Sequence, residues 1–567
     1  MERAKFGSVH CRDCPKMTGM DRIFQRLVCP VLTVAVAVVA VTLPADTTTN
    51  DKAASAGATQ TDVVSEDSRA AARTAMVRRI DEVLQQSWEA EGVQPAQPAE
   101  DSEFLRRAYL DLTGVIPRVS DVRQYLADTN PDKQERLIER LLASPRYATH
   151  MATTWRNRML PASVDATQAT QILGVQNWLH RHFAKNTRFD NVVADLLVAT
   201  DGNELGPALY YQAQDLAPEK LAANTAELFL GIRLHCAQCH DHPYSRWTQD
   251  DFWGLAAFFA RVRGPDAARP GTSYRLVDAP AGEVRLPDSN EVVDPKYLGG
   301  RYADESEGGT RRLQLAIWMA SRDNPYLART TTNWAWSHLF GRGIVEPVSD
   351  AGSHNPPSHP ELLDELAQYV ARIDFDLKEL WRTLMRTRAY RLSSRPGDSD
   401  RSPPHLFASM NVKPLSAEQL YDSIMLTAPP RDGVTAESDM RARIMVTSLV
   451  LDPQRAEFLR RTDTSSADTR EYSAGILQAL LLMNGEVMTA VTSPEESGLV
   501  GALDAPFLTD EQRIDALFLA TLSRLPAPHE KTTFLQMLTS DSDSKPDEVL
   551  SDILWSLFNS SEFTFNH

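Results

Sequence analysis

Apolar residues recur at three- and four-residue spacing along most of this chain, with charged residues between them. In one clear case Leu137, Ile138, Leu141 and Leu142 fall on a single helical face. The preceding Asn130-Pro131 offers an N-cap followed by proline at the first helical position. Ser358-His359-Pro360-Glu361 reads as a capping box opening the helix LLDELAQYVA, and Ser416-Ala417-Glu418-Gln419 as a second. Little in the chain alternates with the period of a strand. The predicted class is mostly α: a multi-helix, two-domain protein.

Glycine and proline break this pattern across residues 264–310, with GPDAARPG, APAG and YLGG. That stretch predicts a connector with a short β-hairpin near Tyr274–Val277 and Glu283–Leu286. One similarity is internal. AYLDLTGVIPRVSDVRQYL, from Ala108, and LFLATLSRLPAPHEKTTFLQ, from Leu517, share an apolar helix, a turn proline (Pro117, Pro526) and a second helix. Each predicts a helical hairpin, a common unit of α proteins.

The N-terminus departs from the helical pattern. Residues 27–43, LVCPVLTVAVAVVAVTL, form an uncharged apolar run behind Arg22 and Arg26. A basic segment before a short apolar run is the form of a secretory signal peptide, and the run is short for a spanning helix. Residues 46–75 are rich in Ala, Thr, Ser and Asp and predict a flexible linker. The expected organisation is therefore a leader over residues 1–45, the linker over 46–75, a helical domain over 76–265, the connector over 266–310 and a second helical domain over 311–567. The expected location is outside the cytoplasm: periplasm, cell envelope or secreted. Membrane contact is expected only through an uncleaved leader.

Export changes the charge and the cysteine inventory. The 567 residues carry 59 Lys and Arg against 76 Asp and Glu, a net charge of −17. Six basic and three acidic residues lie in residues 1–45, so the remainder has 53 against 73, a net of −20. This excludes a phosphate backbone as partner, which demands clustered Lys and Arg. Of the five cysteines, Cys11, Cys14 and Cys29 fall in the leader, leaving only Cys236 and Cys239.

Those two sit in the string HCAQCHDHPY, residues 235–244. Cys236-Ala237-Gln238-Cys239-His240 is the C-x-x-C-H spacing of covalent c-type haem attachment. Two thiols at this spacing reach the two vinyl groups of one haem, and the adjacent imidazole falls beneath the iron. Chance alone gives roughly 0.001 occurrences of the pattern in a chain of this composition. Other readings of the string are a disulfide, a zinc site of Cys236, Cys239, His240 and His242, and simple burial. A haem iron that only transfers electrons takes a sixth ligand, and His150, Met151, His180 and His182 are the first candidates. The Trp- and Phe-rich segment WTQDDFWGLAAFFARV follows the motif.

Longer segments carry a resemblance. LRRAYLDLTGVIPRVSDVRQYLAD, LLASPRYATHMATTWRNRML and LFLGIRLHCAQCHDHPYSRWTQDDFWGLAAFFARV resemble a cytochrome-labelled domain of unknown function abundant in planctomycetes. RRLQLAIWMASRDNPYLARTTTNWAWSHLFGRGIVEPVSDAGSHNPPSHPELLDELAQYV resembles the second domain of the same exported proteins, as do PLSAEQLYDSIM and the closing LWSLFNSSEFTFNH. The resemblance implies haem-site positions at Cys236, Cys239 and His240, with Asp241 and His242 completing the family string. In the second domain it marks Arg329, Asn333, Trp336, His338, Gly341, Arg342, Gly343, Asn355 and His359, with Gly341 and Gly343 allowing a tight loop after a helix ending near Phe340.

Two functions remain open from the sequence. One is an exported redox component carrying covalent haem c and serving a redox or cell-envelope partner. The other is an exported helical binding or scaffold protein with a metal-bound or disulfide CAQCHDH loop, linked to extracellular polysaccharide processing. A third, hydrolysis by Asp241, His242 and second-domain His or Arg residues, is demanded by no spacing.

Overall fold

Leu137, Ile138, Leu141 and Leu142 line the buried face of a helix, as their spacing predicts. The same reasoning accounts for most of the computed structural model, which is about 63% helical, with strands confined to small two-stranded antiparallel ladders. It describes residues 66–160, 169–199, 205–264, 275–287, 289–304, 306, 308–321, 324–352, 354–395, 402–431, 452–462, 476–540 and 545–567. The expected leader, with Cys11, Cys14 and Cys29, and most of the expected linker lie outside the described residues.

In chain order the first elements are α1 (Glu66–Glu91), α2 (Asp101–Thr113), α3 (Val119–Ala127), α4 (Lys133–Ala143), α5 (Pro145–Met159), α6 (Ala169–Ala184), α7 (Phe189–Val198), α8 (Leu205–Ala213), α9 (Pro218–Thr225) and α10 (Gln249–Ala257). The strands β1 (Val262–Arg263), β2 (Val277–Asp278), β3 (Val284–Arg285) and β4 (Val292–Val293) follow. Then come α11 (Arg311–Met319), α12 (Tyr326–Phe340), α13 (Pro360–Arg372), α14 (Leu377–Leu384), β5 (Lys413–Pro414) and α15 (Ala417–Thr427). The chain ends with α16 (Pro453–Thr462), α17 (Ile476–Asn484), α18 (Glu486–Thr492), α19 (Gly498–Leu503), α20 (Asp510–Thr521), α21 (Pro528–Ser540), α22 (Pro546–Phe558), α23 (Ser561–Thr564) and β6 (Phe565–Asn566). Among the described residues no helix is long and apolar enough to cross a membrane.

Local expectations meet mixed outcomes. Helix α1 starts at Glu66, ahead of Met76, so residues 66–75 are helical rather than linker, and Arg73 there pairs with Glu379 at 2.8 Å. Asn130-Pro131 does not cap α4. Asn130 Oδ1 accepts the Asp132 N–H in a local turn, and the helix begins at Lys133. The Ser416 capping box forms, with Gln419 returning the bond. The Ser358 box does not: its hydroxyl donates to Ile344 O, and His359 holds the N-cap position of α13 without a side-chain cap. The predicted hairpin is also replaced. Val277–Asp278 pairs with Val262–Arg263, and Val284–Arg285 with Val292–Val293, so the two predicted strands belong to separate ladders.

The internal similarity holds in backbone detail. α2–α3 and α20–α21 are both helical hairpins, and each turn carries a left-handed residue three positions before its proline. These are Gly114, φ 71°, and Ser523, φ 61°. Glycine adopts that conformation without a Cβ penalty.

Two apolar cores form. The larger is built from Met76 to Met410 together with Leu519, so it draws on helices before and after the connector. The smaller is built from Leu415 to Phe563 together with Leu110 and Ile116. Helix α2 serves both, giving Phe104, Leu105, Ala108 and Leu112 to the first and Leu110 to the second. Its two arginines are buried too, because distant backbone carbonyls receive them. Arg106 donates to Thr521 O at 2.9 Å and Phe563 O at 2.9 Å, and Arg107 to Tyr390 O at 2.6 Å and Leu392 O at 2.9 Å.

Candidate functional site

The cysteine loop begins where a helix is forced to stop. A π-helical turn, Ala226–Leu230, continues α9 and ends at Gly231, φ 66°. Thr330 Oγ1 would lie 2.8 Å from a Cβ at Gly231, so backbone angle and space both require glycine there. Residues His235–Gln238 then form one 3₁₀ turn, anchored by the buried Ala237. Cys236 and Cys239 project from this turn as exposed, free thiols.

Helix α10 holds the loop in place. Thr248 and Asp251 form its capping box. Gln249 Nε2 donates to Cys239 O at 3.1 Å, and Trp253 Nε1 to Gln238 O at 3.1 Å. Asp241 Oδ1 accepts the Gln249 N–H at 2.8 Å. The aromatic residues after the motif therefore pin its backbone: Phe252 is fully buried and Trp247 nearly so.

The histidines of the loop have defined tautomers. His240 Nδ1 lies 2.8 Å from Asp241 O. A carbonyl only accepts, so Nδ1 carries the proton and Nε2 carries the lone pair. His242 is the reverse. Its Nδ1 accepts the Tyr244 N–H at 3.2 Å, which leaves the proton on Nε2. Among the described residues no three His, Cys, Asp or Glu side chains converge to hold a metal ion. Cys236, Cys239, His240 and His242 are thus close in sequence without surrounding one point.

A second segment reaches the loop from beyond the connector. Ala351 N donates to Gly231 O at 2.8 Å, and Arg233 Nη2 to Ser349 Oγ at 3.4 Å. His354 stacks on His242 with ring centroids 6.0 Å apart and planes 23° apart. Asp350 Oδ2 lies 3.2 Å from His354 Nε2. Neither Asp350 nor His354 stands out in the sequence; only the contact with His242 distinguishes them.

The sixth-ligand candidates read from the sequence lie on α5 and α6. Met151 is fully buried, and His150 is half-buried with its ring 5.7 Å from His338. His182 packs edge-on against Trp178, 4.9 Å between centroids, and lies 4.0 Å from Asp195. Burial lowers the pKa of His180, with Arg181 adding to the effect.

The marked second-domain residues are spread through the scaffold. Asn333 exchanges two hydrogen bonds with Val345, at 2.8 and 2.9 Å, and Arg329 pairs with Asp364 at 2.6 Å. His338 Nε2 contacts Asp111 O at 2.8 Å, and His359 Nε2 contacts Ser87 Oγ at 3.2 Å. Gly341 ends α12 with φ 71°, as expected. At Gly343 a Cβ would lie 2.2 Å from Val345 O.

Residues 79–264 match the family model described as PSCyt2, protein of unknown function (DUF1549). Residues 311–538 match PSD1, protein of unknown function (DUF1553). The chain carries a PSCyt2 domain followed by a PSD1 domain. The thiol loop lies in the PSCyt2 match, and Asp350 and His354 in the PSD1 match. No curated protein and no solved structure matches the chain significantly.

Proposed function

We propose that this protein is an exported c-type haem carrier that exchanges electrons with a partner in the cell envelope. Cys236 and Cys239 would form the two thioether bonds, and His240 Nε2 would ligate the iron. When bound, the haem supplies one-electron redox chemistry. The observation that carries this reading is the bond from His240 Nδ1 to Asp241 O. A carbonyl bonded to one ring nitrogen fixes the tautomer and orientation that leave the other free for a metal.

Further support comes from the thiols, which are free and accessible on one turn, as attachment requires. The PSCyt2 family name points the same way. In this reading the residues around the two thiols position them rather than react. Gln249 and Trp253 fix the carbonyls of Cys239 and Gln238, and with them the turn that aims both thiols. Exposure of the turn would make a haem held there accessible to a partner protein.

The test is expression in a periplasm equipped with haem-attachment machinery, followed by a haem stain on a denaturing gel. A stained band at the size of the chain is expected, and Cys236→Ala with Cys239→Ala should remove it. A purified protein with no covalent haem, or one holding stoichiometric zinc in its place, overturns the reading.

A further inference from the structure

We propose that a donor-lined cleft between the PSCyt2 and PSD1 domains, with Arg386 on its wall, binds a hydroxylated organic anion, the chemistry of a sugar acid or a sugar sulfate ester. The proposal uses none of the thiol-loop residues and does not depend on haem.

The cleft has a volume of about 590 Å³, the size of a site for a small organic ligand rather than a bare ion. Asp81, Gln94, Gln97 and Gln134 line it from the PSCyt2 match, and Arg386, Arg388 and Arg391 from the PSD1 match. Its walls are tied together by backbone bonds. Ala96 N donates to Ala408 O at 2.7 Å, Ala99 N to Arg391 O at 2.8 Å and Ser393 N to Gln97 O at 2.8 Å. The chain between α1 and α2 is thus fastened to the segment after α14, and the cleft is formed before any ligand arrives.

Its charge is cationic in an acidic protein. Three arginines and one aspartate line the cleft of a chain whose net charge is −17. Two of the arginines are satisfied: Arg391 Nη2 donates to Glu135 Oε1 at 2.6 Å, and Arg388 Nη1 to Gln85 Oε1 at 2.8 Å. Arg386 is not. It approaches Glu139 only to 3.5 Å, and both oxygens of that carboxylate already accept Arg382 Nε at 2.9 Å. Among the described residues Arg386 makes no hydrogen bond. Burial lowers its pKa and the Arg73 cation adds to the effect, which marks a guanidinium short of compensating charge. A carboxylate or sulfate group supplies that charge and accepts from the guanidinium fork.

The rest of the lining suits hydroxyl groups. The side chains of Gln94, Gln97 and Gln134 make no hydrogen bond among the described residues. A carboxamide both donates and accepts, as a hydroxyl does. No aromatic ring among the described residues lines the cleft, so it offers nothing on which a nucleobase would stack. The amides come from one domain and the guanidinium groups from the other, so a ligand held here would bridge the two.

The experiment is calorimetric titration of the purified full chain with glucuronate, glucose 6-sulfate, glucose and inorganic sulfate at matched ionic strength. Glucuronate or glucose 6-sulfate should bind at one site per chain, and the tighter of the two identifies the acid group. Glucose and inorganic sulfate should bind at least about tenfold more weakly, since each lacks one half of the recognition. Arg386→Gln should weaken the anionic sugar by a similar factor. Gln97→Glu, at an exposed residue with an unbonded side chain, should weaken it by repulsion without disturbing the fold, and it decides the matter if Arg386→Gln proves unstable. Absence of binding by both anionic sugars, equal binding of glucose, or wild-type affinity in a folded variant overturns the proposal. Inorganic sulfate binding as tightly as the sugars overturns it too, leaving a simple anion site.

Discussion

The carboxylate of Asp111 accepts Lys413 Nζ at 2.6 Å, joining α2 in the PSCyt2 domain to β5 in the PSD1 domain. Asp111 also accepts Tyr390 OH and Asn566 Nδ2, each at 2.8 Å, and Lys413 donates onward to His338 O and Leu339 O. Burial pushes the Lys413 ammonium down in pKa. Asp111→Ala strands that cation, and breaking a buried pair from one side costs about 3–5 kcal/mol. The urea midpoint should fall accordingly. Asp111→Ala combined with Lys413→Met should recover much of the loss, because no uncompensated charge then remains. A double variant as unstable as Asp111→Ala alone would show that the other Asp111 bonds dominate.

Acid should weaken the fold well before its carboxylates titrate. Burial, reinforced by His338 and Lys413, pushes His150 down to about 3, and burial lowers His359 and His567 to about 4. Each therefore stays neutral in the folded chain while its unfolded counterpart, near the ordinary 6.5, gains a proton. The stability they contribute is complete above about pH 6.5 and is lost as pH falls toward 4. Each such histidine adds about 1.4 kcal/mol per pH unit to the slope within that window. Urea titrations at pH 7.5, 6 and 5 should show the decline, and His150→Gln should reduce the slope by one proton. An unchanged slope in that variant would mean that His150 is protonated in the native state.

Two serines with the same local sequence signal should respond differently to alanine. Ser416 accepts the Gln419 N–H at 3.2 Å, and the Gln419 side chain accepts the Ser416 N–H at 3.0 Å. Removing such a cap costs about 1 kcal/mol. The Ser358 hydroxyl makes no cap bond to α13. Ser416→Ala should therefore lower hydrogen-exchange protection in the first turn of α15, whereas Ser358→Ala, which loses its bond to Ile344 O, should leave the first turn of α13 protected; equal loss of protection in both turns would contradict the distinction.

These cases mark what local pattern conveys. The apolar faces of α4 and α13, the cap at Ser416 and the stop at Gly341 depend on residues a few positions apart, so the sequence carries them directly. Arg106, Arg107 and Asp111 look like the solvent face of α2. They are buried because carbonyls at Thr521, Phe563, Tyr390 and Leu392 and the Lys413 ammonium meet them from far along the chain. Spacing near α2 cannot report those partners. The strands of the connector pair for the same reason with segments outside the predicted hairpin. At the candidate site, Cys236, Cys239 and His240 were legible from spacing. His354 was not, because its neighbour His242 lies across the connector.

The thiol loop allows a direct test that needs no cofactor. Cys236 and Cys239 are exposed and unpaired on a turn whose buried anchor is Ala237. A maleimide reagent applied to the native chain, without denaturant or reductant, should therefore modify both. Comparison of wild type with Cys236→Ser, Cys239→Ser isolates these two from Cys11, Cys14 and Cys29, and the difference in label count should equal two. Labelling that appears only after reduction would reveal a disulfide. Labelling that appears only in denaturant would reveal a buried loop. Either result removes the accessibility that haem attachment to the folded chain requires. Gln249→Ala loosens the bond to Cys239 O, so it should preserve the two labels while changing their relative rates.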